Sequence, residues 1–219
     1  MLRSLALSAV HLVGRAFMNA IWRWSPHRDL HAIRTAVFGD PQLAAASFGR
    51  IDSALTLIEH CDPAAFARIR AHVRGILAFG IEHHRVAYWE NSAGLCVITT
   101  RYLEAPDTTL EDLALTLVHE SMHARLFALG ARYDDGRRAH AEVICAMAEL
   151  AFAHRLRDAA PYVERVERRL SRWASAGETE WSRETMRADQ LAELRGAGLP
   201  TWLISLVNRA ERFLRGRAA

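Results

Sequence analysis

Two histidines four residues apart place the strongest constraint on how this 219-residue chain can fold. On a helix, His119 and His123 project from the same face with Cβ atoms about 5–6 Å apart, so both imidazoles can bind one metal ion. Glu120 lies about 100° around that helix, outside the ligand set but near enough to take a proton from a water at the metal. Chance accounts poorly for this His-Glu-x-x-His pattern, since about 0.04 occurrences are expected for a chain of this composition.

A third ligand is expected on the following helix. The first helix continues about six residues past His123 and the next begins about five residues before Glu142, so the two positions are level in an antiparallel pair. Two His, one Glu and an open position for water form the ligand set of a catalytic zinc. His140 is the alternative third ligand, but it lies roughly 200° around the helix from Glu142. Cys145 and Glu149 follow on the face of Glu142 and are expected to support the ligands or the core rather than bind the metal.

Asp-Pro dipeptides predict where two earlier helices begin. At 40–41 and 62–63, an N-cap acid precedes a proline that suits the first helical position. Apolar residues then recur at helical spacing. We therefore expect amphipathic helices over roughly 41–60 and 63–79.

The character of the sequence changes after residue 85. Two runs rich in β-branched and aromatic residues, 86–89 and 95–100, stand on either side of turn-forming residues, which predicts a hairpin. The helix with the paired histidines is expected to start from a threonine cap at 108 or 109 and to run to residue 129, with Gly130 as its terminator.

The rest of the chain is expected to be helical. The predicted fold class is α+β and mostly helical, a single compact domain over 1–219 with a small antiparallel sheet or hairpin before the paired-histidine helix. The remaining helices are predicted at about 137–158, 161–175, 182–195 and 200–215. Within the domain, the predicted parts are an N-terminal amphipathic helix over 1–24, a core over 85–158 and a C-terminal helical part over 161–219.

Charge and cysteine content exclude several classes of protein. The net charge is only +3, and the arginines alternate with acids, so nucleic acid is not expected as a partner. The three cysteines, Cys61, Cys96 and Cys145, show no C-x-x-C spacing, which argues against a disulfide framework or a cysteine-based zinc site. A cytoplasmic location is the expectation.

The first 24 residues leave an alternative open. Their apolar run over 5–13 is flanked and interrupted by charge-bearing side chains, including His11 and Arg15, and it is too short to span a bilayer. We expect an amphipathic helix packed on the domain. A membrane-associated or exported protein is the alternative, with contact to a membrane surface through this helix or the basic helix at 200–215.

The motif resembles that of a known group of enzymes. His119, Glu120 and His123, followed after eighteen residues by Glu142, are similar to the gluzincin zinc metallopeptidases, whose third-ligand Glu lies on the helix after the His-Glu-x-x-His helix. The spacing is that of aminopeptidases related to leukotriene hydrolase, whereas thermolysin-like enzymes have one residue more. The resemblance covers about 86–155. It implies a zincin-like fold, zinc as cofactor, and hydrolysis of a peptide or protein substrate with Glu120 as general base and acid.

The same resemblance implies a substrate site, with departures. The strand at 95–100 would be the edge strand along which such enzymes bind extended peptide. Of the amine-binding stretch only the pair Glu90-Asn91 is present, so Glu90 is either a substrate-binding residue or a turn residue. Ala146 replaces the acid that usually follows the third ligand by four residues. The oxyanion could be stabilised by one of four side chains, Tyr102, Tyr133, His154 and Tyr162, and Tyr102 is proposed beside Glu90 as a substrate-binding residue.

Three other interpretations compete with this one. Peptide deformylase also uses the motif with a Cys as third ligand, and Cys96 lies upstream, but its other motifs are absent. A zinc-binding yet inactive domain that acts as an interaction module is the alternative function. The pair His83-His84 beside Glu82 suggests a second metal site, although neighbours on a strand face opposite ways and a loop or surface role is expected.

Overall fold

The computed structural model describes residues 18–80, 86–131 and 138–175, which form a five-stranded sheet packed with seven helices. The fold is therefore α+β and mostly helical, as the sequence predicts. In chain order the elements are α1 (18–24), β1 (His27–Leu30), β2 (Ile33–Phe38), α2 (Pro41–Cys61), α3 (Pro63–His72), β3 (Gly75–Phe79), β4 (Ala87–Glu90), β5 (Leu95–Thr99), α4 (Thr100–Glu104), α5 (Leu110–Ala128), α6 (Arg138–Ala153) and α7 (Ala160–Ser175).

The sheet is mixed, with strand order β1-β2-β3-β5-β4. The inner pairs β2–β3 and β3–β5 are parallel, and the outer pairs β1–β2 and β4–β5 are antiparallel. The hairpin predicted around residues 86–100 is confirmed as β4 and β5. However, the expectation that residues 95–100 form an edge strand is wrong, because β5 is covered by β3 on one side and by β4 on the other. The edge strands of the sheet are β1 and β4.

The helix predicted over 63–79 is also wrong in its second half. The helix α3 ends at His72, and the strand β3 follows after two residues. All five residues of β3 are buried, and a continuous apolar run of a strand covered on both faces lacks the alternation that distinguishes strand from helix. At Gly75 an added Cβ would lie 2.4 Å from the ring of Trp22 and 2.8 Å from the carbonyl oxygen of Arg34, so α1 packs directly on the backbone of β3.

Side-chain caps fix the helix starts that the sequence predicts. Asp40 accepts a hydrogen bond from the Gln42 amide at 2.7 Å, and Asp62 accepts one from the Ala65 amide at 3.0 Å. Each carboxylate satisfies a backbone donor that the first helical turn leaves without an intrahelical partner. The predicted helix over 41–60 is confirmed as α2.

The later helices also begin where expected. Thr109 and Asp112 form a capping box at the start of α5, and Gly130 follows its end with a φ of 81°. The helices predicted near 137 and 161 are α6 and α7. The helix α6 ends at residue 153, five residues early, where Arg155 pairs with Asp62 at 2.6 Å and the chain turns. The helices expected at 182–195 and 200–215, and most of the one over 1–24, lie outside the described residues.

Each face of the sheet carries its own apolar core. On one face, α2, α3 and α5 pack on alternate residues of the strands, including Ile76 and Ile98. On the other face α1 covers Leu77 and Val97. The helix α6 packs on α5, and α7 packs on α6, so α5 lies between the sheet and α6. Within the described residues, none of the helices combines the length and the apolar character needed to cross a bilayer.

Candidate metal centre

The paired histidines lie in the middle of α5, where its capped start and its packing against α2 and α3 hold the backbone helical. Their ring centroids are 4.9 Å apart, and the two Nε2 atoms approach to 3.1 Å. The side chains of His119 and His123 are 12% and 9% exposed. The helical spacing of four residues thus brings two nitrogen atoms to one buried point.

Glu142 reaches this point from the facing helix α6. Its Oε2 lies 3.3 Å from Nε2 of His119 and 3.4 Å from Nε2 of His123. The three atoms form a nearly equilateral triangle. Tetrahedral zinc with bonds of 2.0–2.1 Å requires neighbouring ligand atoms about 3.3–3.4 Å apart, so two imidazoles and this carboxylate fit such an ion. The structure brings together the three residues that the sequence proposes as ligands.

The second nitrogen of each ring is also engaged. Nδ1 of His119 donates to Oε2 of Glu149 at 3.0 Å, and Nδ1 of His123 lies 3.3 Å from Sγ of Cys145. In metal sites such contacts fix the tautomer and the orientation of a ligating ring. Glu149 and Cys145 thus each contact one ring of the paired histidines.

Cys145 is in addition a candidate ligand. The ligand atoms of His119, His123 and Cys145 all lie within 4.8 Å of one another, so these three residues are a group that could hold a metal ion. Burial, reinforced by the charge of Glu142, raises the pKa of the Cys145 thiol. The thiol is therefore protonated in the metal-free protein and would have to lose its proton to bind a metal.

Electrostatics couple His119 and Glu142. Burial disfavours the charged imidazole, but hydrogen bonds to Glu142 and Glu149 outweigh it and raise the pKa of His119 to about 10. Burial likewise opposes the ionised carboxyl of Glu142, but hydrogen bonds from His119 and His123 lower its pKa. In the metal-free protein the cluster thus combines an imidazolium with a carboxylate.

Glu120 follows His119 directly on α5. It is 6% exposed. Its charge contributes, after burial, to the raised pKa of the Cys96 thiol on β5, and it also favours the protonated form of His119. The carboxylate is therefore within electrostatic reach of the candidate ligands without belonging to their triangle.

Two arginines at the centre were not identified from the sequence. Arg169 of α7 forms an ion pair with Oε2 of Glu149, the oxygen that also accepts from His119. Arg138 places Nε 3.9 Å from Oε1 of Glu142 one turn along α6. The spacing of Arg138 from Glu142 is a signal that could have found it. No local pattern marks Arg169, because α7 carries several arginines and only helix packing selects one.

The two residues proposed to bind substrate, Glu90 and Tyr102, lie on different elements of the fold. Glu90 is the last residue of β4, and its Oε1 accepts hydrogen bonds from the amide of Ser92 at 2.9 Å and from the Ser92 hydroxyl at 2.7 Å, so it supports the hairpin turn that follows. Tyr102 on α4 places its hydroxyl 3.1 Å from that of Thr116, one helical turn before His119. Of the two, Tyr102 is the one whose contact leads to the metal-site helix.

The other candidates are more remote or lie outside the described residues. Tyr162 bonds to Thr109 at 3.2 Å, ten residues before His119 and so about 15 Å along α5. His140 and His154 are exposed on and after α6. The residues not described here include Tyr133 and the segment 82–84.

No protein-family model, curated protein or solved structure matches this chain. The resemblance to gluzincins therefore depends on the motif residues alone. A cleft among the described residues lies elsewhere, beyond the carboxyl ends of β2 and β3, and its walls include none of the candidate ligands.

Proposed function

We propose that the protein is a zinc-dependent hydrolase of peptide bonds, with His119, His123 and Glu142 as ligands. The observation that carries the proposal is the triangle of 3.1, 3.3 and 3.4 Å between two imidazole nitrogens and one carboxylate oxygen. The contacts of both Nδ1 atoms support the proposal, because they leave the Nε2 atoms directed at the point where an ion would bind.

The residues of the chain would divide the chemistry as follows. Zinc, when bound, lowers the pKa of water and polarises a carbonyl group. Glu120 would take one proton from the attacking water, whose oxygen forms a bond to the carbonyl carbon. The same carboxyl would return that proton to the amine nitrogen as the carbon–nitrogen bond breaks. Tyr102 is the candidate for binding substrate near this point.

One observation favours a second candidate function, a zinc-binding module without catalysis. Glu120 is only 6% exposed, and the side chains of the three proposed ligands are 9–14% exposed. A metal ion that is buried this deeply could have a structural role instead of a catalytic one. Partners would then bind elsewhere on the surface.

Metal content and a Glu120→Gln variant separate the two functions. We expect purified protein to hold one zinc per chain and to cleave members of a peptide library, and we expect Glu120→Gln to retain the zinc while losing cleavage. Glu104→Gln, which alters an exposed carboxylate on α4, is the matched control. Bound zinc together with no cleavage, or with cleavage that Glu120→Gln leaves unchanged, favours the binding module. Absence of bound zinc, or retention of another metal such as iron, refutes the zinc site.

The third ligand can be assigned by comparing residues of one helix. Glu142→Ala should lower zinc affinity far more than His140→Ala, which removes an exposed imidazole two residues away. Substitution of zinc by cobalt adds a spectroscopic test, because a thiolate ligand gives a sulfur-to-cobalt charge-transfer band in the near ultraviolet. Such a band, lost in Cys145→Ser, would assign Cys145 as a ligand, and unchanged zinc affinity in Glu142→Ala would then show that it takes the place of Glu142.

A further inference from the structure

Arg169 connects α7 to the candidate metal centre through two shared contacts. Its guanidinium pairs with Oε2 of Glu149, and the same oxygen accepts from Nδ1 of His119 at 3.0 Å. The side chain of Glu149 is 7% exposed, so groups of the protein rather than water balance its charge. These contacts run from α7 through α6 to a proposed ligand on α5.

We propose that Arg169 is a positioning residue, which fixes the ring of His119 through Glu149 and thereby sets the affinity of the centre for zinc. The effect on affinity rests on the proposed function, which assigns His119 to the metal. Because Arg169 and His119 bind the same oxygen of Glu149, Oε2, the guanidinium fixes the position of the acceptor, and that position sets the tautomer and the direction of the ring. Without the guanidinium, Glu149 can turn away and the ring loses its fixed direction.

Neighbouring arginines on α7 provide matched controls. Arg168 is 72% exposed and pairs with Glu164 of its own helix at 3.5 Å. Arg165 forms an ion pair with Asp112 in the first turn of α5, so it attaches α7 to α5 without touching His119. Arg165→Gln therefore reports the effect of weaker docking of α7, and Arg168→Gln the effect of losing one surface charge.

Two quantities are measured for each variant. One is the zinc affinity, by competition with a chromophoric chelator, and the other is the melting temperature of the metal-free protein. Arg169→Gln should weaken zinc binding about 10- to 100-fold, as loss of a group supporting a metal ligand does. Arg169→Lys, which keeps the charge, should recover part of the loss. Arg168→Gln and Arg165→Gln should stay within about twofold of wild type. In a Glu149→Gln background, Arg169→Gln should add little, because the arginine acts through that carboxylate.

Two outcomes of the affinity measurements would overturn the assignment. One is wild-type affinity in Arg169→Gln, and the other is an equal loss in Arg165→Gln, which would reduce the effect to helix docking. The ring of His119 gives a readout without metal. Nitrogen-15 NMR of the metal-free protein should show an ordered Nδ1–H signal in wild type and Arg168→Gln that broadens or disappears in Arg169→Gln, and an unchanged signal refutes the positioning.

Failure of the proposed function has a different result. A wild-type protein that binds no metal overturns that function together with the predicted effect on affinity. The ring signal of His119 then decides the positioning contact by itself.

Discussion

Replacement of Gly75 by alanine tests how closely α1 packs on the centre of the sheet. The added Cβ would lie 2.4 Å from the Trp22 ring and 2.8 Å from the backbone oxygen of Arg34. The ring can move, but the carbonyl belongs to β2, which pairs with β3 at this residue. Overpacking of this kind costs about 1–3 kcal/mol, so we expect the free energy of unfolding to fall by that amount.

Gly49 provides a control of opposite sign. It lies inside α2, is exposed, and its added Cβ would meet no atom within 4 Å. Alanine at an open helical position stabilises by about 0.5–1 kcal/mol. The same substitution should therefore raise stability at residue 49 and lower it at residue 75.

Urea denaturation monitored by circular dichroism measures both changes. In melting temperature, each kcal/mol corresponds to about 2–4 °C for a chain of this size. Trp22→Leu in the Gly75→Ala background should recover part of the loss, because it removes the ring from the crowded position. A Gly75→Ala variant as stable as Gly49→Ala would refute the close contact of α1 with β3.

Three further predictions concern the metal site and the helix caps. Zinc at 100 times its dissociation constant should raise the free energy of unfolding by about 2.7 kcal/mol, which a thermal melt detects as a higher melting temperature. At the same zinc concentration, Glu142→Ala should lack most of this stabilisation. An equal stabilisation would exclude Glu142 as a ligand. In chemical denaturation, Asp62→Ala should lower the free energy of unfolding by about 2 kcal/mol and Asp40→Ala by about 1 kcal/mol. The difference is expected because Asp62 is buried and pairs with Arg155 besides capping its helix. Equal losses would contradict this ranking. Thr109→Ala, which removes one side of the capping box, should cost about 1 kcal/mol, and Thr109→Ser should retain most of that stability by the same measurement.

The local parts of the fold could be predicted from the sequence. Caps such as Asp40 and the alternation around β4 and β5 depend on residues close in the chain. The other three strands could not be predicted. The strand β3 lacks alternation, and the turn between β1 and β2 consists of His31 and Ala32 with φ values of 51° and 62°. Hairpin turns of that conformation are usually recognised by Asn or Gly, and neither is present.

The candidate metal centre could likewise be predicted only in part. His119 and His123 meet because of helical periodicity, and Glu142 is level with them because the two helices have equal rise per residue. Those relations are contained in the spacing of the sequence. The ion pair of Arg169 with Glu149 depends on how a third helix packs, and several arginines of α7 would satisfy the same pattern until the packing is known.

We expect the turn at His31 and Ala32 to affect the order in which the sheet assembles. Left-handed backbone at two residues with side chains opposes closure of the β1–β2 hairpin, and contacts of His31 with Thr56, Glu59 and Phe66 offset that cost. Those contacts exist only after α2 and α3 have formed and docked. The strand β1 should therefore join the sheet late in folding and separate from it first in the native protein, so that its amide protons exchange with solvent well before those of β3.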